Sequence, residues 1–215
     1  ISSCGPGSPL DDGAWREPYL NLIQELWDFN TSKTDKKKYV FLICYSFQVV
    51  YDFFELGEIN LRKSTSFGIL PIHKTKAGMK DRLLDGLDDP FYAVDSRNWQ
   101  LIQPRLTVFK EHGCKILSLE KLRTHVEYER AIMAVRFSNE FVGTQFHPEA
   151  DPDGMYSHFM EDINRQHVIT NFGEEKYKDM MDKMDDEDKI IKTHRIILPN
   201  FINEAIHNTL PQLIS

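Results

Sequence analysis

The most constraining feature of this sequence is a short β-rich run that ends abruptly at a cysteine and continues as a helix. Tyr39–Ile43 has the length and composition of a buried strand. From Ser46 to Leu56 the apolar residues return to helical spacing, and Gly57 follows as a C-terminal stop. A strand, a sharp turn and a helix in this order form the βα unit of an α/β sheet, so we predict an α/β fold with Cys44 at the turn.

The rest of the chain alternates between helical and strand-like patterns. An apolar stripe predicts a helix over Asp11–Asn30, and the chain from about Gly154 to the end is helical and heavily charged. The middle section contains the following predicted elements: strands at Ser66–His73 and Pro90–Asp95, a helical stretch near Met79–Leu87, and a hairpin of Ala131–Ser138 and Glu140–Phe146. Met180, Met181 and Met184 lie on an amphipathic stretch, where we expect them to pack rather than to bind a cofactor.

The composition excludes several classes of protein. Apolar residues make up 41% of the chain and charged residues 27%, values typical of a soluble globular protein. No apolar run approaches the roughly 20 residues that span a bilayer, and the net charge of −7 argues against a nucleic-acid partner. Three cysteines without CxxC spacing favour free thiols in a reducing compartment, so we expect a cytoplasmic protein without a structural zinc site.

The first nine residues have neither the basic start nor the apolar centre of a signal peptide. They have the pattern of a strand end that leads into a glycine-rich loop. We therefore expect residue 1 to be an interior point of a longer protein.

A cysteine at a strand-to-helix turn is well placed to act as a nucleophile. The turn lifts the side chain of Cys44 out of the sheet, and the positive end of the following helix favours the reactive thiolate. The backbone N–H of Tyr45 is placed to stabilise an oxyanion. The alternative is that Cys44 is a small buried apolar residue, as most buried cysteines are.

A second segment, Thr144–Glu149 (TQFHPE), contains the parts of a general base and its orienting group. His147 follows a predicted strand, and a carboxylate comes two residues later at Glu149. Such a carboxylate fixes the imidazole tautomer and stabilises the imidazolium that forms when a thiol loses its proton. Taken alone, the His-Pro-Glu tripeptide fits a strand-end turn with a surface ion pair equally well. Together with Cys44 it predicts a Cys44–His147–Glu149 triad.

These segments resemble the class I glutamine amidotransferases, whose glutaminase domain has a Cys-His-Glu triad. The Gly-x-Cys-x-Gly-x-Gln nucleophile signature corresponds to Leu42–Gln48 (LICYSFQ), and Gln-Phe-His-Pro-Glu is intact at Gln145–Glu149. A Ser-Gly-Gly-Pro-type loop resembles Ser3–Pro6, and a Gly-Asp-x-Val-x-x-Leu-Pro pattern resembles Arg97–Pro104. The resemblance covers residues 1 to about 150.

The resemblance implies a fold and further site residues. It implies a flavodoxin-like three-layer α/β/α domain with a mostly parallel central sheet over residues 1–150, lacking an initial strand–helix–strand, followed by a helical extension over 151–215. It implies that the N–H of Gly5 joins that of Tyr45 in the oxyanion hole. It also implies that Gln48, Arg97 and Asn98 bind the substrate. Arg97 is a candidate partner for a carboxylate, and a solvated surface position explains it equally well.

The sequence departs from the family pattern at the nucleophile turn. Leu42 and Ser46 replace two glycines that allow a strand and a helix to approach closely, and Cys4 replaces a glycine of the first loop. Leu42 requires that the adjacent backbone move or that a neighbour be small.

The implied activity is hydrolysis of the glutamine side-chain amide through a Cys44 thioester, with L-glutamine as substrate and neither a metal nor an organic cofactor. The resemblance also implies a synthase partner that receives the ammonia, and no nucleic-acid or membrane partner. The alternatives are a related Cys-His-Glu enzyme acting on γ-glutamyl, peptide or acyl substrates, and a glutaminase-like domain kept for binding or regulation. A non-catalytic flavodoxin-like module also fits the βα pattern but does not explain His147-Pro148-Glu149.

Overall fold

The structure, a computed structural model, describes residues 1–3, 5, 7–32, 36–122 and 129–209. Within these ranges one sheet contains six strands: β1 (Val40–Ile43), β2 (Glu58–Lys74), β3 (Phe91–Ile102), β4 (Lys115–Glu120), β5 (Ile132–Arg136) and β6 (Phe141–Thr144). The α-helices are α1 (Arg16–Thr31), α2 (Tyr45–Phe53), α3 (Leu106–His112), α4 (Pro152–Met160), α5 (Asp162–Phe172), α6 (Glu174–Met184) and α7 (Lys192–Thr209). The α/β fold predicted from the sequence is confirmed.

The sheet is mixed and curled, with the strand order β1-β6-β5-β4-β2-β3. Among the described strands, β1 and β6 pair in parallel, whereas the other four pairings are antiparallel. The curl brings His147, just after β6, against Val94 of β3, and the His147 N–H donates to the Val94 carbonyl at 2.9 Å. The segment that follows β6 therefore lies beside β3, the strand at the far edge of the sheet.

The expected mostly parallel sheet is corrected by these pairings. A parallel neighbour requires a crossover of about a dozen residues or more, usually through a helix. The strand-to-helix pattern that predicts such a crossover is clearest at β1 and α2. The middle of the chain instead forms the long antiparallel pair of β2 and β3. The predicted hairpin of Ala131–Ser138 and Glu140–Phe146 contains the antiparallel pair of β5 and β6.

Apolar residues cover both faces of β1, all of whose residues are buried. Phe41 and Ile43 pack in a cluster that includes Ile197 and Phe201 of α7. The alternate residues, Val40 and Leu42, belong to a second cluster that includes Ile23 of α1 and Phe47 of α2. Because successive strand residues point to opposite faces, this alternation places helices on both sides of β1.

The C-terminal helices pack on the β2–β3 part of the sheet. Ile69 of β2 is fully buried in a third cluster with Tyr177, Met180 and Met184 of α6. The predicted packing role of Met180 and Met184 is confirmed, since each is at most 2% exposed. No helix in the described part of the chain is both long enough and apolar enough to cross a membrane.

Candidate active site

Cys44 lies in a strained turn between β1 and α2. Its backbone has φ of 52° and ψ of −104°, a conformation that residues with a β-carbon rarely adopt. The Cys44 N–H donates to the carbonyl of Thr144 at 2.8 Å, which fixes the turn to the end of β6. The first N–H groups of a helix have no partner within the helix, so α2 directs unpaired donors towards the cysteine. The residue is 8% exposed.

The residues around this turn accommodate the two missing glycines. Leu42 lies opposite Gly143 in the β1–β6 register, so its neighbour is the smallest residue available. A β-carbon on Gly143 would lie 2.3 Å from the Phe47 ring, which indicates how closely α2 approaches the sheet. The Ser46 hydroxyl donates to the Ser2 carbonyl at 2.7 Å and accepts from the Ile43 N–H at 2.9 Å. Both substitutions are therefore compatible with a formed turn.

His147 bridges Cys44 and Glu149. Its Nδ1 lies 2.8 Å from Oε1 of Glu149, and the imidazole also forms a hydrogen bond with Cys44. Burial alone would lower the pKa of His147, but the hydrogen bonds with Cys44 and Glu149 and the negative charges of both groups raise it to about 10. The structure therefore brings the three predicted triad residues together, with the histidine between its two partners.

The first loop lies against the residue that follows the nucleophile. A β-carbon on Gly5 would be 3.5 Å from the Tyr45 ring, and the Tyr45 hydroxyl donates to the Ser8 carbonyl at 3.0 Å. The structure thus places Gly5 and Tyr45, the two predicted oxyanion donors, in adjacent positions. Cys4, where the family has glycine, lies outside the described residues.

The three predicted substrate-binding residues occupy different environments. Gln48 is 3% exposed, and its side-chain amide faces Gln145. Arg97 is 4% exposed and forms ion pairs with Asp95 at 3.0 Å and with Glu120 at 3.5 Å. Asn98 is exposed, and its side chain lies 2.7 Å from the Thr65 hydroxyl. The side chains of Gln48 and Arg97 both donate to the Trp99 carbonyl, at 3.5 Å and 3.4 Å. The structure therefore brings two of the three predicted residues to one carbonyl and leaves the third exposed.

One residue in contact with Cys44 is absent from the sequence-based prediction. Gln145 is fully buried, and its Nε2 donates to Sγ of Cys44 at 3.6 Å. The signal lies in the Gln-Phe-His-Pro-Glu run, whose glutamine precedes the histidine by two residues.

An apolar cavity of about 350 Å³ lies beside His147 and Glu149. Its walls come from β2, β3, α4 and α6, and include Phe67, Val94 and Met155. Oε2 of Glu149 is buried and has no hydrogen-bond partner among the described residues.

Cys114, the other described cysteine, is not a comparable nucleophile. Burial raises the pKa of the Cys114 thiol to about 12, and its sulfur contacts the Phe137 carbonyl at 3.4 Å. Across the described ranges, no group of three or more His, Cys, Asp or Glu side chains is arranged to hold a metal ion.

Comparison with known proteins places this site in a family. The model of the glutamine amidotransferase class-I family matches residues 1–166, and the chain therefore belongs to that family. Among curated proteins it is similar to a homoserine O-acetyltransferase of Catenibacterium mitsuokai, with 23% identity over 210 residues. That alignment covers 97% of this chain but only 64% of the length of the relative.

Solved structures of similar fold include two glutamine amidotransferases. One, from Thermotoga maritima, has a TM-score of 0.65 at 13% identity, covering 94% of this chain and 75% of its own. Another, from Methylobacillus flagellatus, has a TM-score of 0.62 at 15% identity, covering 93% and 74% respectively. At these identities the likeness concerns the fold.

Proposed function

We propose that the chain is a glutaminase, which hydrolyses the side-chain amide of glutamine and supplies ammonia to an acceptor. The observation that carries the proposal is the contact of His147 with both Cys44 and Glu149 at the end of β6. Membership of the glutamine amidotransferase class-I family makes glutamine the first acyl donor to consider.

The proposed reaction begins with attack of the Cys44 thiolate on the side-chain carbonyl of glutamine. The N–H groups of Gly5 and Tyr45 receive the oxyanion, and His147 delivers a proton to the departing ammonia. A γ-glutamyl thioester remains on Cys44. His147 then takes a proton from water, the hydroxyl adds to the thioester, and glutamate leaves as the thiolate is restored.

Substrate recognition is proposed at Gln48, Arg97 and Asn98. Of these, Arg97 has the charge and planar geometry to bind the α-carboxylate of glutamine. The Arg97 guanidinium is already paired with Asp95 and Glu120. Binding of the substrate carboxylate therefore requires that the N–H groups of Arg97 be shared between these two residues and the substrate.

We propose that a synthase partner receives the ammonia and that the protein is located in the cytoplasm. We also propose the division into a glutaminase domain over residues 1–150 and a helical extension over 151–215. The last helix of that extension shares an apolar cluster with β1, so the two parts are in direct contact.

The proposal is tested by measuring glutamate release from L-glutamine by the full chain. We expect Cys44→Ala to lower turnover by roughly a thousandfold or more, since removal of a nucleophile eliminates the covalent route. Cys114→Ala is the matched control and is expected to retain turnover, because that thiol is buried away from the triad. Equal turnover by Cys44→Ala and the unmodified chain would contradict the proposal.

A second candidate is acyl transfer to a hydroxyl acceptor, favoured by the similarity to a homoserine O-acetyltransferase along 97% of this chain. The same triad can form an acyl-thioester from an activated thioester donor. Acetyl-coenzyme A consumption dependent on Cys44, without glutamate release from L-glutamine, would support this candidate instead.

A further inference from the structure

Three polar groups connect β3 to Cys44, and two of them, the side chains of Gln48 and Gln145, are buried. The backbone carbonyl of Trp99 on β3 accepts from Nε2 of Gln48 at 3.5 Å. The same Nε2 donates to Oε1 of Gln145 at 2.9 Å, and Nε2 of Gln145 donates to Sγ of Cys44 at 3.6 Å. Gln48 and Gln145 are 3% and 0% exposed, so water does not compete for these contacts.

The orientation of each amide in this series follows from its neighbour. A backbone carbonyl only accepts hydrogen bonds, so the group of Gln48 that faces Trp99 is its NH₂. That NH₂ also faces Gln145, which must therefore present its carbonyl oxygen to Gln48. The remaining end of the Gln145 amide, its NH₂, is left to face Cys44.

A donor directed at sulfur changes the balance between thiol and thiolate. An amide N–H forms a stronger hydrogen bond with an anion than with a neutral acceptor, so its bond with the thiolate is stronger than its bond with the thiol. A donor that favours the thiolate favours the state in which His147, the hydrogen-bond partner of Cys44, holds the proton. The raised pKa of His147 agrees with this arrangement.

We infer that Gln145 is a catalytic residue that stabilises the Cys44 thiolate, and that Gln48 is a positioning residue that sets which end of the Gln145 amide faces the sulfur. The inference rests on the proposed use of Cys44 as the nucleophile. It gives Gln48 a role in addition to the substrate contact proposed for it.

The test is the pH dependence of Cys44 alkylation by iodoacetamide, followed by mass spectrometry of the Cys44 peptide in the full chain. Iodoacetamide reacts with the thiolate and requires no glutamine, so the result is independent of whether glutamine is the substrate. We expect Gln145→Met, which keeps the volume but removes the donor, to move the profile to higher pH. On the rising part of the profile, the rate at a given pH should fall about tenfold, as a shift of one pH unit implies.

Gln48→Met tests the positioning role. Without a donor at residue 48 nothing holds the oxygen of the Gln145 amide away from the sulfur, so the profile should again move to higher pH. In the Gln145→Met background the Gln48→Met change should have no further effect, because the amide that Gln48 orients is absent. Gln166→Met, at an exposed position on α5, is the matched control and should leave the profile unchanged.

The outcomes are distinct. Superimposable alkylation profiles for the native chain and for folded Gln145→Met would overturn the inference. If Gln145→Met does not fold, the side-chain amide resonance of Gln145 in the native chain is followed by NMR as Cys44 is alkylated. A shift of that resonance supports the contact, and an unchanged resonance overturns it. If the native chain releases no glutamate but Gln145→Met still moves the alkylation profile to higher pH, glutamine is not the substrate and the inference stands.

Discussion

The ionisation of His147 is the property of a single residue that most directly reports the triad. Its pKa of about 10 lies above its ordinary value of 6.5 because its bonds and charge interactions with Cys44 and Glu149 outweigh its burial. A raised folded-state pKa means that the protonated form contributes stability fully below about pH 6.5 and loses it as the pH rises through about 10.

We therefore predict that His147 remains an imidazolium at pH 8 in the native chain. In Cys44→Ala its pKa should fall, since one hydrogen bond and one negative charge are removed while burial remains. NMR titration of the histidine ring protons measures both values, with His147→Gln identifying the signal. A native His147 that titrates near 6.5 would show that the ring does not have these two partners.

Some residue contacts follow from the sequence, whereas others depend on distant strands. Cys44, His147 and Glu149 could be predicted because short motifs carry them. The pairing of Arg97 with Glu120 could not, because it depends on β2 separating β3 from β4 in the sheet order. The space for Leu42 is provided by Gly143, a hundred residues away in sequence but opposite it in the register.

At the scale of elements, the βα unit was predictable and the sheet around it was not. The change from strand to helical spacing around Cys44 is local, and the structure places β1 and α2 at that position. The predicted strands Ser66–His73 and Pro90–Asp95 are only parts of β2 and β3, whose remaining residues are largely polar. Several charged side chains in this hairpin are buried because they form ion pairs. Apolar periodicity does not predict a strand whose buried positions are charged.

The buried ion pairs hold three strands together. Asp95 and Arg97 on β3 pair with each other, and Glu120 on β4 bonds both Arg97 and Arg62 of β2. We predict that Arg97→Met lowers the free energy of unfolding by about 3–5 kcal/mol, because Asp95 is left buried without its partner. Chemical denaturation measures the loss.

The matched control for this prediction is Arg105→Met. Arg105 pairs with Glu55 at 3.6 Å, but the two side chains are 53% and 77% exposed. An exposed pair contributes about 1 kcal/mol or less. Equal losses for the two variants would show that the Arg97 pairs are not buried in solution.

At the scale of the whole molecule, the C-terminal helix and the nucleophile strand share one core. The Phe201 and Phe41 ring centroids are 5.0 Å apart, and Phe201 is 5% exposed. Phe201→Ala should lower the free energy of unfolding by about 3–5 kcal/mol, as loss of a buried aromatic ring does. Ile202→Ala, at a neighbouring position that is 44% exposed, is the control and should change it by much less. Comparable losses would indicate that α7 does not pack on β1.

The central claim is that Cys44 carries an acyl group derived from glutamine. The most direct measurement is acid quenching of the full chain during turnover of radiolabelled L-glutamine, followed by location of the protein-bound label. We predict label on the Cys44 peptide that hydroxylamine releases, as expected for a thioester, and no label in Cys44→Ala. Glutamate release without protein-bound label, or equal label in Cys44→Ala, would contradict the claim.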